Sequence, residues 1–169
     1  MFRVRVATPA DTDAVATVLL ASYPKLMAPA YPPEVLAPAL ALMTRPNPSL
    51  LSSGTFFVAE RDGTVIGCGG WTPGRPDLGA SDIRATVGHV RQFAVHPGWL
   101  RRGVGTALIE RSAADAAAAG VECLACASSL VAVAFYRSAG FVELDRETMM
   151  LSPGVPMETV AMERRLVPA

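Results

Sequence analysis

The chain has 169 residues, 51% of them apolar and 18% charged, with a formal net charge of zero. That length and balance predict one domain, residues 1–169, with a sizeable core, and exclude a disordered chain. The even charge offers nothing to nucleic acid or to an anionic membrane, no apolar run reaches spanning length, and Phe2-Arg3-Val4-Arg5-Val6 is no signal peptide, so a cytoplasmic protein is expected.

Phe2 to Ala7 alternates apolar and Arg residues, the pattern of a half-exposed first strand. Thr8-Pro9-Ala10-Asp11 turns the chain, with Thr8 or Asp11 as the cap of a helix from Asp11 to Tyr23 that Pro24 is expected to end. Prolines are dense from Pro24 to Pro48, around one helical island at Glu34 to Met43 with Pro33 in its first turn. Gly54–Arg61 and Thr64–Trp71 read as two strands joined by an Asp62-Gly63 hairpin turn, and Gly67, Gly69 and Gly70 suggest a bulge or a close backbone approach. A polar loop, 72–84, leads into a strand from Thr86 to Val95. Alternation puts Val87, His89, Arg91, Phe93 and Val95 on one of its faces and Gly88, Val90, Gln92 and Ala94 on the other. An Ala-rich helix, Val104 to Ala119, ends at Gly120 and is followed by a strand from Val121 to Ala127. Ser128 and Ser129 are read as caps of a helix from Leu130 to Ala139, and a last hairpin pairs Phe141–Leu151 with Val155–Val167.

The three cysteines, Cys68, Cys123 and Cys126, are too few and too uneven for a disulfide framework. Cys123 and Cys126 have the spacing of a zinc or redox pair, but three residues apart on a strand they face opposite ways, and no second pair or nearby His completes a site. Buried free thiols and no metal are expected.

The most informative stretch joins the strand ending at Val95 to the helix opening at Val104. Pro97 and Gly98 break the strand, Arg101 and Arg102 place two fixed charges at the turn, and Gly103 and Gly105 remove side chains from the first helical turn. Free N–H groups and the positive helix end then point at one place, which is the chemistry of a phosphate or pyrophosphate cradle. A helix start with a solvated Arg pair is the plainer alternative. A Walker A loop is excluded because Val104 stands where its Lys belongs, and a dinucleotide fingerprint is weak because Leu108 replaces its third Gly.

Leu100-Arg101-Arg102-Gly103-Val104-Gly105-Thr106 resembles motif A of the GNAT superfamily of acyl-CoA-dependent N-acyltransferases, with Leu100 in place of its Gln/Arg. Ala132, Phe135, Tyr136, Gly140 and Phe141 resemble its motif B, with Ser129 at the Asn position. The hairpin of Phe56 to Gly70 is similar to the second and third strands of the same proteins. The resemblance implies an α/β (α+β) fold with a mixed, mostly antiparallel sheet of about seven strands and helices on both faces. It also implies that the strand of Phe93, Ala94 and Val95 splays from that of Val121–Ala127, so that the pantetheine arm of acetyl-CoA bonds the exposed backbone. Arg101, Arg102, Gly103, Val104, Gly105 and Thr106 would then hold the pyrophosphate, with Ser129, Ala132 and Tyr136 completing the cofactor contacts.

The implied reaction is direct attack of an amine on the acetyl thioester. Tyr136 matches the family's proton donor to the leaving thiolate, a backbone N–H near Phe93 or Val95 serves the oxyanion, and His89 stands where members often place a Glu base. Cys126 is the residue named for a covalent variant. Tyr23, Met27 and Tyr31 either pack in the core or, in an enzyme of this type, line the acceptor pocket, and Asp77, Asp82, Glu143, Asp145 and Glu147 are acids that either form a solvated surface or attract a cationic amine. The implied partners are a small-molecule or peptide amine and, for self-association, a homodimer. The competing reading is a catalytically inactive module that binds acetyl-CoA as a sensor or docking domain.

Overall fold

In the computed structural model, which describes residues 1–73 and 86–166, seven strands form one sheet in the order β1-β2-β3-β4-β5-β7-β6. The strands are β1 Arg3–Val6, β2 Phe56–Arg61, β3 Thr64–Pro73, β4 Val87–Val95, β5 Cys123–Ser129, β6 Val142–Ser152 and β7 Val155–Arg165. Every neighbouring pair is antiparallel except β4 and β5. The helices are α1 Thr12–Met27, α2 Pro33–Met43, α3 Pro48–Leu51, α4 Val104–Ala118 and α5 Val133–Ser138.

The apolar patterning sorts the helices onto two faces. Val104, Leu108, Ile109, Ala113 and Ala116 of α4 and Tyr136 of α5 pack with Phe57, Ile66, Trp71, Leu124 and Phe141 on one face. Val15, Val18 and Leu19 of α1 and Leu50 and Leu51 of α3 pack with Phe56, Val58 and Cys68 on the other. On that second face α2 covers the far end of the sheet, where Leu36 and Ala39 meet Met27, Tyr31 and Met157.

Three local expectations are corrected. Pro24 does not end α1, which runs on to Met27. The ring removes one ladder bond, but Met27 is 2% exposed in the α2 cluster, and that burial carries the helix through. Pro38 is likewise housed inside α2. Ser128 and Ser129 do not cap a helix, because both pair with β7 as the end of β5, and α5 starts only at Val133 with Ala132 at its cap.

The third correction concerns β4. Cys68 pairs with Ala94 and Gly70 with Arg91, so Gln92 and Phe93 together stand opposite Gly69. This is a β-bulge with Gln92 at φ +44. It reverses the alternation beyond it. Val90, Phe93 and Val95 pack against the α4 cluster, whereas Ala94 lies in the α1 cluster. His89 and Arg91 therefore share the α1 face with Ala94, and not with Phe93 and Val95. The bulge is secured from both sides. Gln92 Nε2 donates to the Arg45 carbonyl at 2.8 Å and its Oε1 accepts from the Asn47 N–H at 3.4 Å. Gly69 leaves room for the Phe93 ring, which would stand 2.5 Å from a Cβ built there.

The entry to α1 is fixed electrostatically. Arg5 donates twice to the Asp11 carboxylate, at 2.8 and 2.9 Å, and once to Glu60 at 2.8 Å, while the Thr8 N–H donates to Asp11 at 2.8 Å. The Arg5 guanidinium holds the Asp11 carboxyl below the ordinary carboxylate range, partly opposed by its burial. With the folded value depressed, the contribution is complete above the unfolded value and is lost as pH falls through the folded one. Asp11→Asn is expected to cost about 1–3 kcal/mol at pH 7, as for a hydrogen-bonded charge. Denaturant titrations should show wild type losing more stability than the variant between pH 5 and pH 3.

Candidate active site

The sheet opens at its parallel pair. β4 and β5 pair through Val87 with Cys123, Gly88 with Leu124 and His89 with Ala125, and no further. β5 stays paired with β7 from Cys123 to Ser129, and β4 stays paired with β3 through its bulge to Val95, but beyond His89 and Ala125 the two strands no longer pair with each other. A gap opens there, with His89 and Ala125 at its apex. The His96 N–H donates to the Ile66 carbonyl at 2.9 Å, so backbone groups at 94 and 96 face β3. Those of Phe93 and Val95 consequently face the gap. Ala94, expected among the cofactor contacts, is turned away, with its backbone toward β3 and its side chain in the α1 cluster.

Tyr136 is 7% exposed, and its ring meets Phe93 edge-on at 6.4 Å, Phe135 at 5.1 Å and Phe141 at 5.3 Å. Its hydroxyl donates to no group among the described residues. Burial, reinforced by Cys126 and Tyr23 nearby, pushes its pKa well above that of free tyrosine, so the phenol keeps its proton at neutral and mildly alkaline pH. Tyr23 reaches across from α1 and donates to the Phe93 carbonyl at 2.9 Å.

The loop before α4 adjoins the gap. Gly103 caps the helix at φ +78 and Arg101 stands at φ +57. The α4 ladder begins with the Ala107 N–H on the Gly103 carbonyl at 2.9 Å, which leaves the first-turn N–H groups of Val104, Gly105 and Thr106 without helical acceptors. No side chain caps them, and a Cβ built on Gly103 meets nothing within 4 Å. Gly105 has a packing role besides its place in the first turn. A Cβ there would stand 3.0 Å from the Phe135 ring and 3.6 Å from Val95, so this glycine seats α5 against α4 and brings the cradle next to the gap. Val104 is 1% exposed and can offer a ligand only its backbone. Arg102 stacks on Trp99 at 5.0 Å, as does Arg61 from the β2–β3 hairpin. Sequence reasoning missed Trp99, although a lone Trp beside two Arg was the available signal.

Around the mouth, the other expected residues separate. Ser129 lies half-buried at the end of β5, and its carbonyl accepts the Ala132 N–H at 3.1 Å, fixing the turn into α5. Met27 and Tyr31 belong to the core. The Tyr31 hydroxyl donates to the Glu158 carbonyl at 2.7 Å and accepts from the Leu130 N–H at 2.9 Å, so it ties β7 to the end of β5. The register puts His89, Ala125, Glu163, Ala127, Ala161, Asp145 and Glu147 on the α1 face of the sheet. Ala127 is exposed although β5 is a central strand, so this stretch is open among the described residues. Glu143 is an exposed residue paired with Arg137, and Asp77 and Asp82 lie outside the described residues, as does most of the 72–84 loop.

Two of the thiols, Cys68 and Cys126, are buried; Cys123 is half-buried, and burial together with the neighbouring Glu163 carboxylate raises its pKa. Burial pushes Cys68 and Cys126 each up to about 12. Cys123 and Cys126 pair with Arg165 and Met162, on opposite faces of β5. Among the described residues no group of three His, Cys, Asp or Glu side chains could hold a metal ion.

A family model for the acetyltransferase (GNAT) family matches residues 20–141, a span that contains the bulge, the gap, the cradle and α5. The chain belongs to the GNAT family. Solved structures agree in fold. A GCN5-related N-acetyltransferase from Rhodopseudomonas palustris is 26% identical with a TM-score of 0.75, over 97% of this chain and 95% of that one. PaiA N-acetyltransferase from Thermoplasma acidophilum, solved in complex with coenzyme A, is 17% identical with a TM-score of 0.75, over 98% and 99%. The ribosomal-protein-S18-alanine N-acetyltransferase of Escherichia coli is 18% identical with a TM-score of 0.64, over 100% and 96%. No curated protein matches the chain significantly. No helix among the described residues of this GNAT protein is long and apolar enough to cross a membrane.

Proposed function

We propose that this GNAT protein transfers an acetyl group from acetyl-CoA to an amine of a small molecule or peptide, by direct attack with both substrates bound. The observation that carries this reading is the gap between β4 and β5, edged by the backbone of Phe93 and Val95 and continuous with the uncapped start of α4. An amide-bearing arm ending in a pyrophosphate fits that pairing of an unpaired strand edge with an open helix start. Acetyl-CoA, when bound, supplies a thioester whose carbonyl carbon is open to a nucleophile.

The protein's residues then divide the work. The N–H groups of Val104, Gly105 and Thr106, with the charges of Arg101 and Arg102, hold the pyrophosphate. Phe93 and Val95 bond the arm, and the Phe93 N–H is the donor for the thioester oxygen. Tyr136 holds the proton that goes to the departing sulfur. His89, at the apex of the gap on the open α1 face, takes the proton from the amine through a chain of several waters, since four residues of strand separate it from Phe93 by roughly 13 Å. The free thiols Cys68, Cys123 and Cys126 suit a reducing cytoplasm.

The acceptor is found by incubating the protein with acetyl-CoA and separate pools of amino acids, polyamines and peptides with free N-termini. Mass spectrometry should reveal an N-acetylated member of one pool; unmodified amines in every pool would refute the reading. With that acceptor, kcat/KM should rise with pH along a limb set by an imidazole, whose ordinary pKa is about 6.5. His89→Gln should remove this limb and lower the neutral-pH rate by roughly 10- to 100-fold, within the usual range for a general base. A variant that kept both the limb and the rate would move the base elsewhere.

A further inference from the structure

The two tyrosine hydroxyls at the gap are held in opposite hydrogen-bonding states. A phenol has one proton to donate and lone pairs to accept with. Tyr23 has committed its proton to the Phe93 carbonyl at 2.9 Å, so at the gap it offers lone pairs alone. Tyr136 has no acceptor among the described residues and keeps its proton to give. The hydroxyls are near enough that charge on Tyr23 would raise the pKa of Tyr136. Burial also raises the Tyr23 pKa, so both stay neutral and neither swaps role by ionising. Tyr23 is half-buried rather than sealed in the core, and its carbonyl partner is one of the backbone groups that face the gap.

We infer that Tyr23 receives the acceptor nitrogen by accepting one of its N–H bonds, and that this selects primary over secondary amines. The inference rests on the acetyl-transfer reading above. A neutral primary amine uses its lone pair for attack and has two N–H groups. One is held by the Tyr23 oxygen, and the other carries the proton lost to the base as the C–N bond forms and the C–S bond breaks. A secondary amine has a single N–H for both tasks.

The test compares the best primary amine from the acceptor pools with its N-methyl derivative, in wild type and in Tyr23→Phe, and measures acetyl-CoA affinity of both proteins by calorimetry. Wild type should prefer the primary amine. Tyr23→Phe should lower kcat/KM for it by roughly 10- to 100-fold, the size of one hydrogen bond to a nitrogen that gains positive charge as it attacks, and should shrink the preference, with acetyl-CoA affinity kept within about twofold. Unchanged kcat/KM or an unchanged preference would overturn the inference. So would a loss confined to acetyl-CoA affinity, which would reduce Tyr23 to a brace for Phe93. A wild type that prefers the N-methyl derivative would also overturn it, whereas a wild type that acetylates neither primary nor secondary amines would overturn the transfer reading itself.

Discussion

Gly103→Glu is expected to weaken acetyl-CoA binding by roughly 100-fold or more, because like charges juxtaposed at a binding surface cost several kcal/mol. The new carboxylate would sit at the mouth of the cradle, where Val104, Gly105 and Thr106 present their first-turn N–H groups. It would compete with the pyrophosphate for those donors and repel it. The fold should survive, since a Cβ at this position meets nothing within 4 Å. The backbone, at φ +78, charges a β-carbon about 1–2 kcal/mol whatever the side chain. Gly103→Ala therefore separates strain from charge. Calorimetry should find near-normal acetyl-CoA affinity in Gly103→Ala and almost none in Gly103→Glu. Equal affinities in the two variants would show that the ligand does not approach this helix start.

Tyr136→Phe is expected to lower kcat by roughly 10- to 1,000-fold, the range for losing a positioned general acid. The ring, which packs on Phe93, Phe135 and Phe141, is kept, so stability and acetyl-CoA affinity should change little. The wild-type pH profile carries a second signature. Because burial holds the phenol protonated well past its ordinary value, Tyr136 should contribute no falling limb between pH 8 and pH 10. Pre-steady-state measurements would establish that chemistry limits kcat. An unchanged kcat under that condition would remove Tyr136 from the reaction.

Both candidate sites behind these predictions were proposed from the sequence, because each lies in a short continuous stretch. Arg101 to Thr106 and Ala132 to Phe141 carry their meaning in local spacing, as does the Asp62-Gly63 hairpin. What escaped depends on partners distant in sequence. The bulge at Gln92 and Phe93 adds one residue opposite Gly69 and leaves no composition signal, yet it moves His89 and Arg91 to the face away from Phe93 and Val95. The three glycines of β3 hinted at it without saying which strand bulged. Tyr23 and Phe93 are 70 residues apart, and Tyr31 reaches Glu158 across 127, so no periodicity could tell a tyrosine that faces the gap from one that braces the core. Pro24 misled because local propensity was outweighed by the burial of Met27.

Direct transfer at the gap is tested most sharply by following the label of acetyl-labelled CoA through a single turnover, with and without the acceptor amine. With amine present, label should pass to the amine as free CoA appears, and at no time should it reside on the protein. Without amine it should remain on bound CoA, since Cys126 and Cys68, each held near 12, supply no thiolate to receive it. Label trapped on the protein would contradict direct attack. Label that stayed on tightly bound CoA in the presence of every amine would instead identify a module that binds the cofactor without catalysis.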